Sequence, residues 1–561
     1  MIVKININGI DREVKEGGTL LNIFQNLGIF VPHLCYLKDC TPSGRCGLCV
    51  VELSQDQIAL SCLTQAKAGM VIKTESPRLS EIRQKNINNI LKNHKINCFN
   101  CKKSGSCNLQ SYASKIYSGC EVNDNFHGSD QKSDIKNITK DLDHDISKCI
   151  YCQRCNKFLS NICDKTNSKI ESIRELPESE DLTLNTLDLC PTAALLDNVS
   201  KTTRSYSTCD EIQTYDISDV FTPKILVSYH YNEFIKISGV NSILIRNETR
   251  NICKKLNSRQ SIDFNYKEII EKLAIKINSQ RLEKKLFIIG NDIDLITFNY
   301  IKFLNDHREN VSVSIDDCNI PYDFPFNIGL ENVDLSPVDL SIFVGNNIMS
   351  SDKCNILSNS LNIKKSETLK FNELSNFIEN SESCSYNFPH IFLFSDVFNE
   401  FENSIILEKL EFFLNEFKIK FGRVPKINII PSNLSKMFIN DIPDYKSTYR
   451  ITKELNKNDL EFICVIGDIK TNLQNYSGVD IICNSVFPIE NATNIPAKHF
   501  LEDSAYYVNV FKKIVKTKQI SKNNLKSNRE FIFDIMKAVF KDDFYDINME
   551  IHQSIRDKYF K

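Results

Sequence analysis

The sequence predicts a multidomain α+β protein, in which a small β-rich domain and two short cysteine-bearing modules precede a larger α/β domain. Three observations support this prediction. The chain has 561 residues, which is enough for several domains. Of its 21 cysteines, 14 lie in residues 1–190. Beyond about residue 220, short apolar runs alternate with helical segments, a pattern typical of a parallel α/β sheet.

The composition is that of an ordinary globular protein, with 42% hydrophobic residues, 25% charged residues and a formal net charge of -2. This balance does not indicate a nucleic-acid or membrane-surface binder. No apolar run approaches the roughly 18 residues of a membrane span, and the first residues resemble a strand rather than a signal or transit peptide. We therefore expect a protein of the cytoplasm, or one made inside an organelle by the organelle's own genome.

Residues 1–78 are predicted to form a ferredoxin-like domain. The alternating stretch MIVKININGIDREV indicates two strands joined at Asn8-Gly9, and TLLNIFQNLG indicates a short amphipathic helix. Four cysteines then follow the spacing C-x10-C-x2-C-x12-C, which is related to the plant-type two-iron pattern: Cys35, Cys46, Cys49 and Cys62. Small loop residues (Ser43, Gly44, Gly47) would let backbone N–H groups approach the sulfurs. Cys40 is a rival for the first position, because it shortens the first gap to five residues.

Residues 79–120 form the second predicted module, an amphipathic helix followed by a cysteine-rich loop. Three of its cysteines have the spacing C-x2-C-x5-C: Cys98, Cys101 and Cys107. A four-iron cluster and a structural zinc each require a fourth ligand. The candidates are His94, which lies about one helical turn before the first cysteine, and Cys120. The spacing alone does not decide between them.

Residues 141–208 form the third predicted module. Three of its cysteines have the spacing C-x2-C-x2-C of bacterial four-iron ferredoxins: Cys149, Cys152 and Cys155. In that pattern the last cysteine precedes a proline. Pro191 follows Cys190, whereas Asp164 follows Cys163, so we assign Cys190 as the fourth ligand and give Cys163 a structural role. A zinc ribbon would instead show two separated C-x2-C pairs.

Three clusters in fewer than 200 residues would make an electron relay, which requires no catalytic base or nucleophile. Its reduction potentials would depend on ligand type, hydrogen bonds to sulfur and burial. The seven later cysteines form no ligand run and are predicted to be buried thiols: Cys209, Cys253, Cys318, Cys354, Cys384, Cys464 and Cys483.

The order of these motifs resembles the large iron–sulfur subunit of respiratory NADH:quinone oxidoreductase (complex I). The resemblance lies in VPHLCYLKD, SGRCGLCVVEL, NHKINCFNCKKSGSCNLQ, CIYCQRCNKFL and LDLCPTAAL; it is sharp over residues 1–208 and diffuse over 209–561. It implies that His94, rather than Cys120, is the fourth ligand of the second motif. It also implies that Cys35, rather than Cys40, is the first ligand of the two-iron cluster. The implied cofactors are one [2Fe-2S] cluster and two [4Fe-4S] clusters, and no more.

The resemblance also implies a fold for each part of the chain. Residues 1–78 would be a β-grasp domain, 209–265 a small β module, and 266–561 an α/β domain like that of molybdopterin oxidoreductases without the cofactor. The weaker resemblance over residues 209–561 lies in three stretches: SRQSIDF, FPFNIGLENVDLSPVDLSIFVGNN and YSGVDIICNSVFPIENATN. The chain departs from the family in its shorter segment 156–189 and in its fewer C-terminal glycines and prolines.

The implied function is electron transfer within complex I. Electrons would arrive from the NADH- and FMN-binding subunit and leave to the quinone-side iron–sulfur subunit. The expected location is peripheral, on the matrix side of the mitochondrial inner membrane for an organelle-encoded protein or on the cytoplasmic side of a bacterial inner membrane. One alternative is the relay subunit of an NAD-linked hydrogenase or formate dehydrogenase. Another is a zinc-stabilised scaffold protein without a redox role.

Overall fold

The structure, a computed structural model, describes most of the chain. The described residues are 2–37, 40–117, 134–139, 142–161, 185–197, 208–219, 221–231, 233–240, 247–257, 259, 264–281, 283–291, 293–308, 310–316, 327–328, 340–345, 366–380, 386, 389–394, 396–401, 403–430, 437, 459–469, 471–476, 478–509, 512–521 and 523–560. The chain divides into two compact units: unit 1 comprises Met1–Glu211 and Val227–Asn257, and unit 2 comprises Ile212–Leu226 and Ser258–Lys561.

Unit 1 begins with a five-stranded sheet of order β2-β1-β5-β3-β4 and one helix. Its elements are β1 (Ile2–Ile7), β2 (Ile10–Lys15), α1 (Leu20–Asn26), β3 (Val50–Leu53), β4 (Gln57–Leu60) and β5 (Val71–Lys73). Asn8 and Gly9 both have positive φ angles, 54° and 84°. Such angles are those of the type I′ turn that matches the twist of a hairpin, so the predicted strand pair is confirmed. Strand β1 also pairs in parallel with β5.

The chain continues through short elements. They are α2 (Pro77–Lys92), α3 (Asn108–Tyr117), β6 (Ile135–Thr139), β7 (Leu142–Asp145), α4 (Arg154–Asn161), α5 (Thr186–Leu189), β8 (Leu195–Asp197), β9 (Asp210–Tyr215), β10 (Lys224–His230), β11 (Glu233–Gly239) and α6 (Asn247–Asn257). The predicted second-module helix is confirmed as α2. It begins at Pro77 because the Ser76 hydroxyl caps it, accepting a hydrogen bond from the Leu79 N–H (3.2 Å).

Unit 2 contains two five-stranded sheets, of order β13-β12-β19-β20-β21 and β14-β18-β17-β15-β16, whose neighbouring strands are all parallel. The first comprises β12 (Lys284–Ile289), β13 (Val311–Ile315), β19 (Leu460–Ile466), β20 (Asp480–Ser485) and β21 (Thr493–Pro496). The second comprises β14 (Asn327–Ile328), β15 (Leu340–Val344), β16 (Ser366–Leu369), β17 (Pro389–Phe394) and β18 (Lys426–Ile430).

Helices cover these sheets, and an antiparallel strand pair completes unit 2. The helices are α7 (Tyr266–Ile277), α8 (Leu295–His307), α9 (Leu374–Asn380), α10 (Val397–Glu400), α11 (Asn403–Phe421), α12 (Asn528–Phe540) and α13 (Phe544–Tyr559), and the pair is β22 (Tyr506–Val508) with β23 (Ile514–Lys516). Within the described ranges, no helix is both long enough and apolar enough to cross a membrane.

The apolar runs that stand out in the sequence form β12, β15, β17, β18, β19 and β20. All five residues of β15 and all six of β17 are buried, as expected for parallel strands covered on both faces. The α+β multidomain class is therefore confirmed, and so is the parallel α/β character of the C-terminal half. The likeness of that half to molybdopterin oxidoreductases stays a prediction, and so do the domain boundaries.

Candidate iron–sulfur centres

The predicted ligands of the first cluster lie together, between α1 and β3 and just after β4. The Sγ atoms of Cys35 and Cys46 are 3.4 Å apart, and the Cys49 and Cys62 side chains are hydrogen-bonded to each other. All four cysteines are buried. Negative charge on Cys35 makes a smaller contribution that disfavours ionisation of both Cys49 and Cys62, so the two pairs also interact with each other. The fold therefore brings these four side chains together as two interacting pairs.

Hydrogen-bond donors surround the first of these pairs. The Leu34 N–H donates to Cys46 Sγ and the Cys46 N–H donates to Cys35 Sγ, both over 3.4 Å. The Ser43 hydroxyl and the Arg45 backbone donate to Cys35 as well. Donors of this kind stabilise negative charge on sulfur, and cluster ligands bind as thiolates.

Within each hydrogen-bonded pair, one thiol has a lowered pKa and the other has a raised pKa. Hydrogen bonding with Cys46 lowers the pKa of Cys35 to about 5, and hydrogen bonding with Cys62 lowers the pKa of Cys49 to about 7. The same hydrogen bonds, together with burial, raise the pKa values of Cys46 and Cys62. A metal cluster would replace these shared protons, so the donor set fits an iron–sulfur cluster.

Two glycines allow this loop to close. Gly44 and Gly47 have φ angles of 64° and 65°, in the region that side chains other than glycine rarely adopt. A Cβ on Gly47 would lie 2.6 Å from the Nδ2 of Asn86 on α2, and that amide donates to the Gly47 carbonyl over 2.8 Å. Contact with α2 therefore leaves no room for a side chain at position 47.

Cys40, the rival first ligand, lies in a different hydrophobic core. It packs with residues of the third module, including Leu142, Phe158 and Leu187. Cys35 lies instead in a core with Cys46, Leu48 and residues of α2 and α3. The packing thus places Cys35, and not Cys40, beside Cys46.

The second motif occupies the loop between α2 and α3. The loop contains a short 3-10 turn, Cys98–Asn100, which begins at the first of its cysteines. Burial raises the pKa of Cys98 and of Cys107, and negative charge on Cys101 raises both further. Backbone N–H groups of Gln110 and Leu109, in the first turn of α3, oppose the shift in the pKa of Cys107. The three cysteines thus share one loop in which their charges interact.

His94 lies just beyond the end of α2 and is only 8% exposed. Its Nδ1 has no hydrogen-bond partner among the residues that the structure describes. Burial lowers its pKa, although a hydrogen bond with the Lys148 backbone acts in the opposite direction. A neutral, buried imidazole with an unpaired ring nitrogen is a form suited to metal ligation. The rival ligand Cys120 lies outside the described residues.

Lys148 links His94 to the cysteines of this second motif. Its Nζ lies 3.9 Å from Cys101 Sγ. Its charge also opposes the rise in the pKa of Cys98 that burial causes, and adds to the lowering of the pKa of His94 by burial. Three candidate ligands therefore interact with one lysine side chain.

In the described part of the chain, no group of three or more His, Cys, Asp or Glu side chains is already arranged to hold a metal ion.

The third motif surrounds a small cavity. Its volume is about 70 Å³, and its lining includes all four predicted ligands: Cys149, Cys152, Cys155 and Cys190. Tyr151 and Gln153 have positive φ angles, 52° and 67°, and the Tyr151 N–H donates to Cys149 Sγ over 3.4 Å. This backbone turns the thiols of the C-x2-C-x2-C run towards one space. Cys163 lies outside the described residues.

The charges of these four thiols are coupled. Burial, followed by negative charge on Cys190, raises the pKa of Cys152 to about 12. The same two causes raise the pKa of Cys155 further. Buried thiols such as Cys152 and Cys155 ionise more readily beside a cation, and the irons of a bound cluster would supply that positive charge.

Contacts between the three loops join the candidate centres. Ser43, in the first loop, donates to the Cys152 carbonyl over 3.2 Å. The Asn108 N–H, at the start of α3, donates to the Pro191 carbonyl over 3.1 Å. Motif spacing does not predict these contacts, nor the place of Lys148, because each joins residues that are far apart along the chain.

Among the later cysteines, Cys253, Cys464 and Cys483 are buried, as predicted. The prediction is wrong for Cys209, which is partly exposed because it precedes β9 rather than lying within a covered strand. The predictions for Cys318, Cys354 and Cys384 fall outside the described residues.

Two family models match the N-terminal part of the chain. Residues 1–77 match a 2Fe-2S iron-sulfur cluster binding domain, and residues 83–117 match an NADH-ubiquinone oxidoreductase-G iron-sulfur binding region. Both confirm that this part of the chain consists of iron–sulfur binding regions. The number of clusters and the identity of each ligand stay predictions.

Named relatives show the same similarity. An NADH-quinone oxidoreductase subunit of the G type from Rickettsia conorii is 28% identical over 204 residues, covering 35% of this chain and 30% of the relative. The NADH-ubiquinone oxidoreductase 75 kDa subunit of Reclinomonas americana is 26% identical over 247 residues, covering 42% and 35%. The chain thus spans about a third of the length of these relatives. They confirm the resemblance that the motifs predicted.

One solved structure is also similar in part. It is a chain of an NAD+-reducing [NiFe]-hydrogenase in the H2-reduced state, with a TM-score of 0.31 and 22% sequence identity, covering 36% of this chain and 91% of that chain.

Proposed function

We propose that this chain, a homologue of the large iron–sulfur subunit of NADH:quinone oxidoreductase (complex I), is an electron-transfer subunit of such a complex. The observation that carries the proposal is the packing of three ligand-bearing loops, widely separated in sequence, in one folded unit. The bound clusters would supply one-electron redox chemistry. The protein would fix their ligands, their surroundings and their separation.

The proposed ligands form three sets. The [2Fe-2S] cluster would be held by Cys35, Cys46, Cys49 and Cys62. One [4Fe-4S] cluster would be held by His94, Cys98, Cys101 and Cys107, and the other by Cys149, Cys152, Cys155 and Cys190. The paired thiols, the unpaired imidazole nitrogen and the cysteine-lined cavity support these three sets in turn.

The contacts between loops suit a relay. Ser43 ties the first loop to Cys152, and Asn108 ties the second to Pro191. A shared core also packs Cys35 and Cys46 with Leu109 of α3, and with Cys107 and Cys152 at its edge. Clusters bound at these loops would be close neighbours, and short separations favour single-electron transfer between them.

The proposed partners are the NADH- and FMN-binding subunit, as electron donor, and the quinone-side iron–sulfur subunit, as acceptor. The names of the relatives support this placement in complex I. The chain would then be a peripheral subunit, on the matrix side of a mitochondrial inner membrane or on the cytoplasmic side of a bacterial one.

For unit 2 we infer a molybdopterin-oxidoreductase-like domain that does not use a cofactor. In open parallel sheets, ligands bind at the carboxyl ends of the strands where the strand order reverses, which here is between β12 and β19. The loops after these two strands close on each other. The Asn291 N–H donates to the Asp468 carbonyl over 2.9 Å, and a Cβ on Gly290 would lie 2.5 Å from the same oxygen. The cavity beside them is only about 10 Å³.

Anaerobic purification followed by EPR spectroscopy tests the proposal. The expected result is coloured protein with one [2Fe-2S] signal and two [4Fe-4S] signals after reduction. Colourless protein that contains zinc would contradict the relay and would support the scaffold alternative. Co-purification with quinone-reductase subunits would support complex I, whereas co-purification with hydrogenase or formate dehydrogenase subunits would support the other relay.

A further inference from the structure

Lys103 connects the second and third candidate centres. It lies in the loop between Cys101 and Cys107, yet its Nζ donates to the carbonyl of Cys190 over 2.6 Å and to that of Leu187 over 2.9 Å. These carbonyls belong to the last turn of α5 and to the cysteine that follows it. A lysine from the second motif therefore holds the backbone of a predicted ligand of the third.

The surroundings of this contact are rich in cations. Asp188, two residues before Cys190, pairs with Arg250 over 2.5 Å and with Lys236 over 2.7 Å. Arg250 also donates to the Asn185 side chain over 2.8 Å. Lys103, Lys236 and Arg250 together carry three positive charges against the one negative charge of Asp188. The fold thus places net positive charge beside Cys190.

The side chain of Lys103 interacts electrostatically with Cys190, Lys236, Asp188 and Cys107. A lysine kept near thiolates has its charge stabilised by them and stabilises theirs in return.

We propose that Lys103 is a positioning residue for the third cluster, which fixes Cys190 through its backbone and raises the reduction potential of that cluster through its charge. The inference rests on the cluster binding proposed above. Reduction adds one negative charge to a cluster, so a nearby cation stabilises the reduced form more than the oxidised form. A ligand that is held by its own carbonyl also keeps one orientation in both redox states.

Redox titration of the purified, cluster-loaded protein, followed by EPR, tests this inference. Lys103→Met keeps the aliphatic stem but removes the charge and the donors, so the third cluster should become harder to reduce and titrate at a more negative potential than in the wild type. Lys103→Arg keeps a positive charge and donors, and should restore most of the wild-type potential. Lys102→Met is the matched control, since the neighbouring lysine makes no hydrogen bond or ion pair in the described part of the chain. It should leave the third cluster unchanged.

An unchanged third-cluster potential in Lys103→Met would overturn the inference, as would an equal shift in Lys102→Met. If Lys103→Met prevents assembly of the third cluster, Lys103→Arg decides: a retained signal near the wild-type potential supports the inference, and loss of the signal in both variants overturns it. Absence of four-iron signals from the wild type would overturn the proposed function itself. Wild-type signals without the predicted shift would overturn only the role of Lys103.

Discussion

The Nζ of Lys148 lies 3.9 Å from the Sγ of Cys101, although 47 residues separate them. Lys148 directly precedes Cys149, the first predicted ligand of the third centre. Its Nζ is also 4.0 Å from Asp145, and its carbonyl accepts a hydrogen bond from the Thr192 hydroxyl over 2.9 Å. One residue therefore places a positive charge at the second centre while its backbone is fixed within the third module.

Replacement of Lys148 with methionine should affect the second centre more than the third. Loss of the cation beside Cys101 should make that cluster harder to reduce, by about 1 kcal/mol or roughly 40 mV for one electron. EPR-monitored redox titration measures the shift, with Lys92→Met, a change of an exposed lysine at the end of α2, as control. A larger shift at the third cluster than at the second would contradict this assignment.

Arg83 anchors α2 to the first domain. Its buried guanidinium donates to the carbonyls of Leu48 (3.2 Å), Val50 (2.8 Å) and Thr74 (2.9 Å). Arg83→Met would leave three buried acceptors without a donor, so we expect a loss of about 3 kcal/mol in the free energy of unfolding. Denaturant unfolding of the cluster-loaded protein measures this loss.

The matched control for Arg83 is Arg78→Met on the same helix. Arg78 makes an exposed hydrogen bond to the Asp56 carbonyl over 3.0 Å. Its replacement should cost less than about 1 kcal/mol, because water can satisfy the carbonyl. Equal losses in the two variants would show that Arg83 does not have the anchoring role that its three bonds indicate.

Gly47→Ala should disturb the [2Fe-2S] centre selectively. Its φ of 65° disfavours any side chain, and the new Cβ would meet the Asn86 amide. Strain and clash together should destabilise the protein by about 1–3 kcal/mol and reduce the [2Fe-2S] signal relative to the four-iron signals. Gly28→Ala separates the two causes, because Gly28 has a similar φ of 70° but nothing within 4 Å of an added Cβ. An undiminished [2Fe-2S] signal in Gly47→Ala would contradict the prediction.

Local patterns were enough to predict the local structure. The Asn8-Gly9 hairpin, α2 and six buried strands follow from residues adjacent in sequence, because turn geometry and apolar periodicity are local properties. The pairing of β12 with β19 cannot be predicted in this way, because it joins segments that are far apart in the chain. The lysines at the centres were missed for the same reason: the Lys103 contact with Cys190 spans 87 residues, and no spacing rule covers it.

Cys190 and Cys163 can be distinguished by a pair of substitutions. Cys190→Ala should abolish one four-iron signal and destabilise the third module, because ligation and folding are coupled. Cys163→Ala should leave that signal intact. The reason is that Cys190 shares a cavity with Cys149, Cys152 and Cys155. The opposite pattern, with a four-iron signal that survives only in Cys190→Ala, would make Cys163 the ligand.

His94 is the ligand whose identity most affects the second centre. His94→Ala should weaken or abolish the second four-iron signal. His94→Cys should keep a cluster but change its EPR signal and lower its potential, because a thiolate adds negative charge where the imidazole is neutral. EPR and redox titration of both variants measure these effects, and His307→Ala, a change of an exposed histidine in unit 2, is the control. An unchanged signal in His94→Ala would make Cys120 the fourth ligand, in which case Cys120→Ala should abolish the signal.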